Sequence, residues 1–143
     1  MYDHVLLPTD GSRAAEAAAD HAFDIARRSD AAVSVLYVVD ESIFPVDIRA
    51  DQYRVALESE GQRAVDELVA RAKEAGVEQV SGAVESGAPT AAILDYADAH
   101  GCDLVVMGTH GRSGIERVLL GSVAERVVRK SPVAALTVRP ADG

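Results

Sequence analysis

A glycine-punctuated segment near the C-terminus contains the residues whose types and spacing best suit chemistry. Gly108, Gly111 and Gly121 follow the apolar run 104–107, and Ser122 comes next, at the start of a predicted helix. Glycine allows a ligand to approach backbone N–H groups, and a helix N-terminus offers unpaired N–H donors with a partial positive charge. The segment is therefore predicted to bind phosphate. Glycine-rich turns also join strands to helices where no ligand binds, so the glycines alone leave that alternative open.

Length, composition and net charge limit the ligands and partners that this segment can bind. With 143 residues the chain is predicted to be a single domain, residues 1–143. A net charge of −9 argues against a nucleic-acid partner, which normally meets a basic face. An anionic ligand must then be held by backbone dipoles, a local arginine or a metal ion. The 12 Arg and 2 Lys among many acidic residues fit either a salt-adapted surface or a high-GC genome.

Location and redox state follow from what the sequence contains. The N-terminal Met1-Tyr2-Asp3-His4 lacks the basic region of a signal peptide, and no apolar run is long enough to span a bilayer. We expect a cytoplasmic protein with no membrane association. Cys102 is the single cysteine and adjoins the 104–107 run, which predicts a small buried residue.

Hydrophobic periodicity predicts alternating strands and helices. Strands are expected at 5–7, 32–39, 77–86, 104–107 and 133–138, and helices at 12–29, 51–75, 89–100 and 122–130. Gly61 within the second helix is a possible bend. Right-handed crossovers would place these strands in one parallel sheet with helices on both faces. Ligands of such folds bind at the carboxyl ends of the strands, and Asp10, Val38 and Gly108 all follow or close a strand there.

The glycine segment matches neither common nucleotide motif. It contains no Gly-Lys-Ser/Thr, and the dinucleotide fingerprint belongs after the first strand, where Thr9-Asp10-Gly11-Ser12 stands. It resembles instead the universal stress protein family. ATP-binding members of that family carry Gly, two residues, Gly, nine residues, then Gly-Ser or Gly-Thr. Gly108, Gly111, Gly121 and Ser122 satisfy this pattern, and the resemblance extends over essentially the whole chain.

The resemblance implies a fold and a set of site residues. The expected fold is an α/β three-layer sandwich, Rossmann-like and adenine nucleotide alpha hydrolase-like, with a parallel sheet ordered 3-2-1-4-5. The expected ligand is ATP with Mg²⁺ or Mn²⁺. Its binding set is Pro8 and Thr9 beside base and sugar, Asp10 at the ribose hydroxyls, the Val38 backbone at the adenine edge, Met107, Gly108, Gly111, Gly121, Ser122 and Val123 along the phosphates, and Arg112 as a cationic contact.

Simpler roles remain open for several of these residues. Residue type alone favours Asp10 as the N-cap of the first helix, and the Val38 side chain as an ordinary core valine. Arg112 and His110 are also typical of solvated loop positions, and the four histidines show no metal-ligand spacing.

Three functions therefore compete. The favoured one is an ATP-binding regulatory protein of the stress response; the others are a slow ATPase or phosphotransferase on the same fold, and a nucleotide-free dimeric interaction module. No Ser/His/Asp or Cys/His set is brought together by the predicted strand order. The apolar strand from Val133 to Val138 is expected at a sheet edge, where it would form a homodimer unless the loop before it or the tail 140–143 covers it.

Overall fold

The structure is a computed structural model that describes residues 1–41, 50–109 and 122–139. The elements in chain order are β1 (His4–Thr9), α1 (Arg13–Ser29), β2 (Ala32–Asp40), α2 (Ala50–Glu74), β3 (Val80–Gly87), α3 (Pro89–Ala99), β4 (Leu104–Gly108), α4 (Ser122–Lys130) and β5 (Ala134–Val138). The five strands form one parallel sheet in the order β3-β2-β1-β4-β5. The predicted fold class and strand order are confirmed.

The central strands are apolar on both faces because helices cover both faces. Val5, Leu6 and Leu7 of β1 have no accessible surface, as expected for a parallel sheet between two helical layers. Odd-numbered residues of β1 and β2 pack with α1 and α2, and even-numbered residues pack with α3 and α4. The sheet therefore separates two cores.

Helix α2 packs so closely against the sheet that two positions, 61 and 82, have room only for glycine. A Cβ on Gly61 would lie 2.8 Å from Cε1 of the Tyr37 ring, and one on Gly82 would meet Val65. Helix α2 runs through Gly61 from Ala50 to Glu74. Gly61 therefore makes room for the Tyr37 ring within an uninterrupted helix.

The third strand begins later than predicted because the chain first completes the end of α2. Gly76 has a φ of +96°, and the Val77 N–H donates to the Ala72 carbonyl at 3.0 Å. This left-handed glycine closes the helix, so Val77 belongs to the helix end and β3 starts at Val80. Exposed residues in β3 agree with its predicted place at an edge of the sheet.

Candidate functional site

The turn between β1 and α1 is ordered by its own side chains. The Gly11 N–H donates to Thr9 Oγ1 at 3.1 Å, and the Ser12 N–H donates to Asp10 Oδ1 at 3.0 Å. Gly11 has a φ of +79°, which favours glycine, and no atom lies within 4 Å of a Cβ built there. The turn thus leaves open space above a backbone held by Thr9 and Asp10.

The structure corrects the predicted capping role of Asp10. Ser12 is the N-cap of α1, and its Oγ accepts from the Ala15 N–H at 3.2 Å. Asp10 instead accepts from Ser12 and fixes the approach of the strand to the helix. One carboxylate oxygen is used in this bond, at the carboxyl end of the central strand.

The end of β2 lies beside this turn. Pro8 pairs with Leu36 and Thr9 with Tyr37, so Val38 is one residue beyond the partner of Thr9 on the neighbouring strand. The Val38 side chain is half-buried against the α3–α4 core, as predicted for a core valine. Its backbone is at the same edge of the sheet as Asp10.

The end of β4 approaches the start of α1 more closely than a side chain at Gly108 would permit. A Cβ on Gly108 would lie 2.6 Å from the Ala14 carbonyl carbon and 2.7 Å from Ala14 Cβ and O. Glycine is required here by helix packing, a reason that differs from the ligand approach predicted from the sequence. Met107 is buried in the α3–α4 core, and the Thr109 N–H donates to the Val138 carbonyl at 2.9 Å.

Helix α4 begins beyond the glycine segment. Ser122 is exposed in its first turn, and Val123 is half-buried against the α3–α4 core. The Glu125 carboxylate pairs with Arg129 one turn later. Gly111, Arg112, Gly121 and His110 lie outside the described residues. Of the predicted set, the structure therefore brings together Pro8, Thr9, Asp10, Val38, Met107 and Gly108 at one edge of the sheet.

A cleft that the sequence did not predict opens from the same edge. It has a volume of about 190 Å³ and lies between α1 and α2. Its lining residues are Thr9, Asp10, Gly11, Glu16, Tyr37, Glu60, Arg63, Ala64, Glu67, Leu68 and Arg71. Helical periodicity could have placed the α2 residues on one face of that helix, but only the packing of α1 alongside α2 makes the face into a wall.

Two groups with shifted pKa values, Cys102 and Asp103, lie at the amino end of the sheet. Burial raises the pKa of the Cys102 thiol to about 11, with a further contribution from Asp103. Burial by itself would raise the pKa of the Asp103 carboxyl. Hydrogen bonds from the backbone N–H groups of Asp3 and His4 outweigh that effect, and the pKa lies below its usual value. Cys102 is buried, as predicted. These groups are structural and lie at the opposite edge from Asp10.

Chemically, the carboxyl edge offers a recognition surface. It presents an acidic acceptor at Asp10, an open turn at Gly11 and strand-end backbone groups at Val38. Among the described ranges there is no group of three His, Cys, Asp or Glu residues that could hold a metal ion. In the same ranges, no helix is long and apolar enough to cross a membrane.

Comparison with known proteins identifies the family. The model of the universal stress protein family matches residues 1–139. A universal stress protein of Methanocaldococcus jannaschii is 40% identical over 142 residues, covering 97% of this chain and 83% of that protein.

Two solved structures extend the likeness to three dimensions. The universal stress protein UspA from Lactobacillus plantarum has a TM-score of 0.89 and 30% identity, over 96% of this chain and 98% of that one. A universal stress protein in complex with cAMP has a TM-score of 0.75 and 31% identity, over 98% of both chains. The chain belongs to the universal stress protein family.

Proposed function

We propose that this protein binds ATP with Mg²⁺ or Mn²⁺ at the carboxyl edge of its sheet and acts as a nucleotide-dependent regulatory protein of the stress response. The main observation behind the proposal is the convergence of Thr9, Asp10, Val38 and Gly108 at adjacent strand ends. The complete glycine motif continues from that point along the chain. A related protein of the same fold has been crystallised with cAMP, an adenine nucleotide.

The described residues fit the nucleoside half of such a ligand. Asp10 lies at the end of the central strand, where one of its oxygens accepts from the Ser12 N–H, and a carboxylate is the type of group that accepts hydrogen bonds from ribose hydroxyls. The space above Gly11 is open, and Val38, whose backbone is proposed to meet the adenine edge, lies near the end of the neighbouring strand. The phosphates and their cation are assigned, by the family motif, to Gly111, Arg112, Gly121 and Ser122, with Met107 and Val123 alongside.

Calorimetric titration with ATP and Mg²⁺ tests the proposal. We expect a micromolar dissociation constant, about −8 kcal/mol, and a stabilisation of about 2.7 kcal/mol at a ligand concentration one hundred times that constant. AMP and cAMP should be titrated in parallel, because the related complex contains cAMP. Absence of heat and of a melting shift at millimolar ATP, with no nucleotide released from freshly purified protein, would overturn the proposal.

A pair of variants tests whether Asp10 contributes to ATP binding, separately from whether the protein binds ATP. Asp10→Asn retains one oxygen for the Ser12 N–H but removes the charge, and should weaken ATP binding by about tenfold, the effect of losing a charge-assisted hydrogen bond. Asp98→Asn, on the exposed surface of α3, makes the same change of charge away from this edge. Equal affinity in the two variants would remove Asp10 from the site while leaving nucleotide binding intact.

Homodimerisation through β5 belongs to the same proposal. The strand is at the end of the sheet order, and Leu136 on it is 36% exposed. An apolar edge strand without charged residues favours pairing with a second copy. Leu136→Lys should convert a dimer to a monomer in light scattering. Val55→Lys, at an exposed position on α2, should leave the dimer intact, and a monomeric wild-type protein at high micromolar concentration would contradict the assignment.

A further inference from the structure

A buried serine lies near the amino end of the sheet, between Val33 and Val35 of β2. Ser34 is 1% exposed, and a buried hydroxyl costs stability unless it is hydrogen-bonded. Its Oγ lies 2.7 Å from Nε2 of His4, on β1, and 3.5 Å from the hydroxyl of Ser81, on β3. The two strands that flank β2 therefore each supply a partner for this hydroxyl, and the bond to His4 is the shorter of the two.

The other ring nitrogen of His4 determines the direction of the bond to Ser34. Nδ1 lies 3.0 Å from the His100 carbonyl oxygen, which can only accept, so Nδ1 is the donor. In a neutral ring Nε2 then carries no proton and accepts from the Ser34 hydroxyl. In a protonated ring both nitrogens donate, and the Ser34 oxygen becomes the acceptor. The same two atoms thus remain bonded in both charge states, with the donor and the acceptor exchanged.

The surroundings of His4 join three elements at this end of the sheet. Asp103 Oδ1 accepts from the His4 backbone N–H at 3.1 Å, and the carboxylate attracts a protonated His4 ring. His100 ends α3, where the helix carries partial negative charge, and its own ring stacks on Tyr96 and contacts the Tyr96 carbonyl through Nδ1. Other titratable residues at this end of the sheet are Tyr2, Asp3, Asp30, Glu78 and Cys102.

We propose that Ser34 is a pH-dependent partner of His4: its hydroxyl donates to the neutral ring and accepts from the protonated ring, which keeps β1, β2 and α3 joined in both charge states. Histidine changes charge between pH 5 and 8. A hydroxyl both donates and accepts, whereas an apolar residue at position 34 would leave Nε2 without a partner. This joint lies at the opposite edge of the sheet from Asp10, so it does not depend on nucleotide binding.

NMR spectroscopy of the wild-type protein with 15N-labelled histidine tests the assigned direction of the bonds. At pH 8 the His4 ring should carry its proton on Nδ1, with Nε2 unprotonated; spectra of His4→Gln identify its signals. A ring protonated on Nε2 at this pH would overturn the proposal. Because the measurement uses the wild-type protein, it does not depend on the stability of any variant.

Urea unfolding of Ser34→Ala at pH 5 and pH 8 tests the reversal. The variant removes the acceptor that a protonated His4 needs, and a buried charged donor without a partner costs more than a neutral acceptor without one. In the unfolded chain water satisfies either form, so the larger loss of stability should occur at pH 5. We expect the increase in the unfolding equilibrium constant to be about fivefold larger at pH 5 than at pH 8. Ser86→Ala, at an exposed position of β3, should show less than about a twofold difference.

Two histidine variants assign the pH dependence to one ring. In a His4→Gln background the effect of Ser34→Ala should be the same at pH 5 and pH 8, because the titrating group is gone. In a His100→Gln background the pH dependence should persist, because His100 contacts His4 through its backbone carbonyl. An effect of Ser34→Ala that is independent of pH in the wild-type background, that stays pH-dependent without His4, or that loses its pH dependence without the His100 ring would each overturn the proposal.

Discussion

Replacement of Gly108 by alanine tests the contact between β4 and the start of α1. The added Cβ would lie 2.6 to 2.7 Å from three atoms of Ala14, whereas ordinary contact begins near 3.4 Å. Strand and helix must therefore separate by about 0.7 Å or distort their backbones. Two of the three atoms belong to the Ala14 backbone, so no side-chain rotation relieves the overlap.

The expected loss of stability is near the upper end for overpacking, about 3 kcal/mol. For a chain of this size that corresponds to a decrease in melting temperature of about 10 °C. Urea unfolding followed by circular dichroism measures the change in free energy, and thermal unfolding checks it. Because only one of the three contacts involves the Ala14 Cβ, adding Ala14→Gly should restore little of the loss.

Gly101 provides the control. It has a φ of +66° and open space around its Cβ position, so Gly101→Asn introduces a side chain without overlap in a conformation that asparagine tolerates. We expect its stability to remain within about 0.5 kcal/mol of wild type. If Gly108→Ala were equally mild, the close approach of β4 to α1 would be refuted, and with it the packing explanation of this glycine.

Three further measurements probe other parts of the molecule. Asp103 has a lowered pKa in the folded state, so its contribution to stability is present above its usual pKa of 3.8 and is lost as the pH falls through the lowered pKa. The difference in urea midpoint between wild type and Asp103→Asn should therefore be larger at pH 7 than at pH 2. A difference independent of pH would contradict this. Because the Cys102 thiol is buried with a pKa of about 11, iodoacetamide at pH 8 should modify it slowly in the native protein and rapidly in urea, while equal rates would mean that the thiol is accessible. The net charge of −9 predicts an unfolding midpoint that rises between low and molar KCl because salt screens repulsion, and a flat or falling trend would favour genome composition as the reason for the arginine excess.

Local patterns in the amino-acid order were sufficient for the elements and for the family. Continuous apolar runs such as 104–107 identify strands buried on two faces, and Gly108, Gly111, Gly121 and Ser122 carry the motif on which the resemblance depends. The alternation of strands and helices then restricts the fold, because crossovers between parallel strands are right-handed. Helix α4 begins and ends where the periodicity predicted, at Ser122 and Lys130.

Contacts between distant segments depend on how those elements are packed. The capping of α1 by Ser12, with Asp10 in a supporting bond, depends on the local path of the turn, which residue type alone does not decide. The notch at Gly108 exists because strand order places β4 beside β1 beneath the start of α1. The cleft likewise needs Glu16 and Glu67, 51 positions apart in the sequence, to line the same opening between α1 and α2. Periodicity encodes which face of an element is buried, whereas the side chains that meet across two elements are determined only when the strand order and the distances between helices are known.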